Sequence, residues 1–158
     1  MESVRFHAFD DVREAAEAAF RAHAERLAQL LPFAFIEHVG GTTLPGVRTK
    51  GDLDIQARVP QDRFFEAEAI LAARYERNLG STRNDVFAAF KDDSLVVPLG
   101  IQLTAIDSEN DCFVRARQLL RGSPELAAEY DALKARFEGQ PMADYRKAKA
   151  AFFARLLG

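Results

Sequence analysis

Two aspartates, Asp52 and Asp54, are the residues whose type and spacing best suit them to chemistry. Residues i and i+2 of a strand leave the same face, so on a strand the pair would set two carboxylates side by side. Crowded carboxylates repel each other and are relieved by a cation held between them. Hard divalent ions such as Mg2+ or Mn2+ take carboxylate oxygen and commonly keep water and phosphate oxygens as their other ligands. Just upstream stands Gly40-Gly41-Thr42-Thr43. Glycines let a backbone approach a phosphate closely, and the N–H groups at a helix start attract its charge. Each half alone reads equally as a turn or as surface polarity. Together they predict a phosphate-and-metal site, with Asp52 and Asp54 as metal ligands and catalytic carboxylates, and Gly40, Gly41, Thr42 and Thr43 cradling phosphate.

The elements that must position these residues follow from hydrophobic period. Val12, Ala16, Phe20, His23, Leu27 and Leu31 recur at spacings of three and four, which predicts an amphipathic helix over 10–31. Asp10 and Asp11 suit its start and Pro32 stops it. Phe33–Val39 reads as a strand, and the Gly40–Gly46 turn could open a short helix. Leu53–Val59 alternates cleanly, with Leu53, Ile55, Ala57 and Val59 on one face and Asp52, Asp54, Gln56 and Arg58 on the other. A helix over Pro60–Arg74 follows. Val86–Phe90 and Leu95–Ile106 read as further strands, the second interrupted at Pro98 and Gly100. Helices are then expected over 111–121, from Ser123-Pro124-Glu125 onward with Ser123 as N-cap, and from Pro141 almost to Gly158. This order predicts an α/β (α+β) fold: a small mixed sheet flanked by helices, with residues 1–158 as one domain. Residues 1–110 form its αβ core and 111–158 a helical C-terminal part packed on it.

Charge is divided along the chain. Residues 1–110 hold 12 Lys and Arg against 18 Asp and Glu; residues 111–158 hold 9 against 6. In the helical part Arg117/Arg121, Tyr130/Lys134 and Tyr145/Lys149 are i, i+4 pairs, so each pair shares a helix face. They form either a basic and aromatic wall opposite the aspartates, gripping phosphate and packing on a base, or ion pairs with Glu125, Glu129 and Asp144 on a solvated surface. His38 is expected to be a buried strand-end residue bonded to backbone rather than a base. The single cysteine, Cys112, excludes an intramolecular disulfide and a multi-cysteine metal site. The net charge of −3 carries no global basic field for a long nucleic acid. Without an apolar run of membrane-spanning length or a signal-type N-terminus, the cytoplasm is the default location and no membrane partner is expected.

Ile36-Glu37-His38-Val39-Gly40-Gly41-Thr42-Thr43-Leu44-Pro45-Gly46-Val47, followed by Lys50 and Leu53-Asp54-Ile55, resembles the signature of the GrpB-like family of the nucleotidyltransferase superfamily. Arg117 and Arg121, the run Pro124–Tyr130 with Leu133-Lys134, and Tyr145 with Lys149 are similar to its C-terminal part. The resemblance covers roughly residues 10–158. It implies the nucleotidyltransferase fold and a Mg2+- or Mn2+-dependent transfer of a nucleotidyl group from a nucleoside triphosphate to an acceptor. Lys50, Arg117, Arg121, Lys134, Tyr145 and Lys149 would join the nucleotide site. Three departures bear on activity. Gly41 stands where the family has Ser, leaving Thr42 to supply a hydroxyl. Gln118 stands at an Asp position. Gln102 and Thr104 occupy the strand where the wider superfamily places a third carboxylate, so that Asp107 is the remaining candidate. The alternative is a module of the same fold that binds a nucleotide or other phosphorylated small molecule without turnover.

Overall fold

The computed structural model describes residues 2–158. Five strands form one mixed sheet in the order β1-β2-β5-β4-β3, where β1 is Phe35–Val39, β2 Leu53–Val59, β3 Glu76–Arg77, β4 Phe87–Asp92 and β5 Leu99–Ala105. β2 and β5 run parallel at the centre; the other pairs are antiparallel. Five helices accompany them: α1 (Phe9–Leu30), α2 (Phe64–Ala72), α3 (Phe113–Arg121), α4 (Pro124–Phe137) and α5 (Met142–Leu157).

The alternation of β2 divides the sheet into two unlike faces. Leu53, Ile55, Ala57 and Val59 stand beside Leu99, Ile101, Leu103 and Ala105 and pack with Leu27 of α1 and Phe64, Ala67 and Leu71 of α2. All four β2 residues in this row are fully buried, so a one-residue slip of register would turn the whole apolar row outward. The opposite face carries Asp54, Gln56 and Arg58 beside Gly100, Gln102 and Thr104.

A second apolar cluster lies among the C-terminal helices. Leu120, Tyr130, Leu133, Tyr145 and Phe152 enclose Leu44 and Val47 from the loop after β1, together with Val4. The N-terminal segment laces this half together. Val4 N donates to Gln140 O and Gly139 N to Val4 O, while His7 exchanges backbone hydrogen bonds with Thr49. Ser123 caps α4 as expected, its Oγ accepting from Leu126 N at 3.2 Å.

Several boundaries differ from expectation. Residues 61–63 form a 3₁₀ turn before α2. The two-residue β3 carries no sequence signal of its own. β5 begins only at Leu99, after Pro98, which cannot donate to a ladder, so residues 95–98 of the expected strand lie outside it. Gly100 does not interrupt the strand: β5 runs through it. The physical reason for a glycine there is the side chain opposite it.

Candidate functional site

That side chain is Asp54. It faces Val39 across β1 and Gly100 across β5. A Cβ added at Gly100 would lie 2.9 Å from Asp54 Oδ1, and one at Gly40 would lie 2.5 Å from Oδ2. Gly40 also has φ of +81°, a left-handed conformation that favours glycine. Two glycines thus leave the slot that the carboxylate fills. No hydrogen bond or ion pair among the described residues engages it at close range. Burial pushes its pKa up; Lys149 draws it back down, and the charge of Asp52 raises it again.

Asp54 lies on the wall of a cavity of about 400 Å³ between this face of the sheet and α3, α4 and α5. Gly40, Gly41, Thr43, Asp54, Arg117 and Lys149, all expected at the site, line it. Tyr130, expected in the aromatic wall, lines it too; Gln102, Cys112, Phe113 and Arg146 line it as well and were not among the expected ligands. Arg146 has a legible signal, since it stands one helical turn before Lys149.

The other expected residues stand behind or beside the cavity. Asp52 precedes β2, outside the lining, with its Oδ2 3.5 Å from Lys50 Nζ. Thr42 is buried, and its hydroxyl shares a 2.9 Å hydrogen bond with His38 Nε2. The His38 ring stacks on Phe20 of α1, so its partner is a side chain rather than the expected backbone. Burial, with Arg121 and Arg117 nearby, pulls its pKa down to about 4. Thr43 Oγ donates to Gly40 O at 2.6 Å. Both hydroxyls therefore brace the 3₁₀ turn Gly41–Thr43.

Three of the basic side chains hold the end of β1 and the loop after it through backbone carbonyls. Arg117 Nη1 donates to His38 O and also meets Glu37. Arg121 Nε donates to Thr43 O at 2.9 Å. Lys134 Nζ donates to Arg48 O at 2.8 Å. Lys134 is 2% exposed and lies 4.3 Å above the Tyr130 ring; burial first, then Lys149, lowers its pKa to about 7. Tyr145 is buried behind Tyr130, and burial raises the pKa of both phenols. None of these basic residues pairs with Glu125 or Asp144; Glu129 pairs with Arg155.

The third carboxylate is not supplied by Asp107. It follows β5 at the far end from Gly100, where its N–H donates to Asp111 in the Arg58–Gln56–Asp111 cluster. Five strand residues, 101–105, separate Gly100 from the turn that carries Asp107, about 17 Å. Gln102 and Thr104, which do face the Asp54 side, are neutral. Among the described residues no three of His, Cys, Asp and Glu gather as a metal cluster.

The same architecture occurs in solved structures. The crystal structure of the conserved protein GrpB from Enterococcus faecalis superposes with a TM-score of 0.71 at 20% identity, covering 90% of each chain. A structure of Cid1 poly(U) polymerase described as Mg 3'-dATP bound superposes with a TM-score of 0.55 at 15% identity, covering 81% of this chain but 41% of Cid1. These likenesses establish the fold alone, one shared with GrpB and resembling that of Cid1. A UPF0157 protein of Vibrio cholerae is 31% identical over 157 residues, 99% of this chain and 84% of its own length. A UPF0157 protein of Deinococcus radiodurans is 32% identical over 145 residues, 89% of this chain and 74% of its own. The family model described as GrpB protein matches residues 9–158, and with these relatives it shows that the chain belongs to the GrpB family.

Proposed function

We propose that the Asp54 cavity binds a nucleoside triphosphate and that the chain transfers its nucleotidyl group to an acceptor. The observation that carries this reading is the half-buried carboxylate of Asp54, without a hydrogen-bond or ion-pair partner, held in a slot that two glycines keep open. Its pKa is raised by burial and by the like charge of Asp52, and a bound cation would favour the charged form. Asp54 and the neighbouring Asp52 suit one hard divalent ion, Mg2+ or Mn2+. Such an ion, when bound, neutralises charge on phosphate oxygens and on departing pyrophosphate. The chain's own residues do the rest. Gly40 and Gly41 admit a phosphate close to the backbone, and the first N–H groups of the turn have no partner within it. Lys149 and Lys50 add positive charge beside the carboxylates. Arg121 grips a carbonyl of the turn itself, while Arg117 and Lys134 hold the backbone on either side of it, at His38 and Arg48.

A second reading, nucleotide binding without turnover, is favoured by the neutral Gln102 and Thr104 on the strand beside Asp54. One experiment separates the two. Calorimetry with ATP, GTP, CTP and UTP, with and without Mg2+, should show metal-dependent binding that Asp54→Asn abolishes. Release of pyrophosphate on adding candidate acceptors then supports transfer, and its absence with intact binding supports the second reading. Absence of any metal-dependent nucleotide binding overturns both.

A further inference from the structure

The cavity is far more apolar than a phosphate requires. Val39, Leu44, Phe113, Leu120, Phe153 and Leu157 give it a largely apolar wall, and a polyphosphate gains nothing by facing hydrocarbon. The charges on the lining are also unequal. Asp54 is its one carboxylate, against Arg117, Arg146 and Lys149. Arg117 is engaged by Glu37 and His38 O, although its Nε is buried without an acceptor. Arg146 and Lys149 lie one turn apart on the same face of α5. Neither has an ion-pair partner among the described residues.

We propose that this cavity takes an amphipathic carboxylate. Its apolar body, aliphatic or arylalkyl, lies against Phe113, Leu120, Phe153 and Leu157, and its carboxylate is held by Arg146 and Lys149. The volume of about 400 Å³ falls within the range of small-molecule sites. An apolar cation would meet two unpaired basic side chains and one carboxylate. A neutral hydrocarbon would cover those basic side chains without pairing them, which is unfavourable. A carboxylate with an apolar body satisfies both the wall and the rim. The proposal does not depend on the nucleotide reading, since neither metal nor phosphate enters it.

The test is calorimetry on the full chain, with no nucleotide or metal, using butanoate, hexanoate, octanoate and decanoate, and 1-octanol as the uncharged match. Affinity should rise about fourfold for each added methylene until the cavity is full, and octanoate should bind more tightly than octanol. Arg146 is exposed, and Arg146→Gln should weaken octanoate about tenfold with octanol unchanged. Ala150 is an exposed lining residue, and Ala150→Phe should block both ligands without lowering the melting temperature. A flat chain-length series, equal binding of octanoate and octanol, or unaltered binding in Ala150→Phe would each overturn the proposal. A chain that binds the acids but no nucleotide keeps this inference and loses the previous one; binding of nucleotide alone does the reverse.

Discussion

Asp54, Gly40 and Gly100 form a unit in which each residue sets the space of the others. Gly100→Ala should destabilise the chain by about 1–3 kcal/mol, because the new methyl meets the carboxylate. In an Asp54→Ala background the same change should cost at least about 1 kcal/mol less, a coupling that a double-mutant cycle in urea reads directly. Additive effects would show that Gly100 serves some other contact. Asp54→Asn should leave the fold intact and raise its stability by about 1 kcal/mol without divalent ions, by removing a desolvated charge. Stabilisation by Mg2+ should disappear in the same variant; a lower melting point without metal would make the aspartate a structural residue. His38 gives a prediction in pH. In the unfolded chain its imidazole takes up a proton near 6.5, in the fold only near about 4. Between those values the unfolded state binds more protons, so this residue makes stability fall as pH drops from 6.5 towards 4. His38→Asn should flatten that part of the curve; identical urea midpoints across pH 7 to 4.5 in both proteins would show that the ring titrates freely.

At the level of elements, α3 and α4 act on the end of β1 and the loop after it through backbone carbonyls. Arg117→Ala should lower stability by about 1.5–3 kcal/mol, since its hydrogen bonds are charge-assisted and nearly buried. Arg121→Ala, at a more exposed position, should cost less, about 0.5–1.5 kcal/mol. Chemical denaturation of the two variants decides this; unchanged midpoints would mean that the loop holds without them. The spacing of Arg117/Arg121 and Tyr145/Lys149 did indicate shared helix faces, because the 3.6-residue period is local. What each side chain would meet was not legible: a backbone carbonyl has no sequence signature, and proximity of α3 to β1 is a tertiary fact. The strand over Leu53–Val59 was legible to the residue, since its alternation records two unlike faces. Gly100 misled, because glycine weakens a strand in isolation and only the partner strand shows what its missing side chain accommodates. The apolar cavity wall was invisible for a related reason. Phe113, Leu120, Phe153 and Leu157 look like ordinary core positions on separate helices until the helices are placed.

For the molecule as a whole, the two apolar clusters raise the question of cooperativity. One lies between the sheet and α1 and α2, the other among α3, α4, α5 and the N-terminal segment. The loop from Gly40 to Lys50 ties them, placing Leu44 and Val47 in the second cluster while its ends continue into β1 and β2. We therefore propose that residues 1–158 unfold as one domain. The chain offers a direct probe. It has three tyrosines and no tryptophan; Tyr130 and Tyr145 belong to the second cluster and Tyr75 packs on the first. Tyrosine fluorescence therefore weights the helical half, and far-ultraviolet circular dichroism reports the entire backbone. Their urea midpoints should coincide. An earlier fluorescence transition would show that the helical half opens by itself.

The slot around Asp54 also constrains the order in which this sequence can change over generations. While the carboxylate is present, a side chain at position 40 or 100 meets it and is selected against. Once an ancestor replaces Asp54 with a smaller residue, the steric bar at position 100 is lifted, and any methyl gained there blocks the return of aspartate. Loss of the carboxylate followed by gain at the glycine is therefore a one-way ratchet.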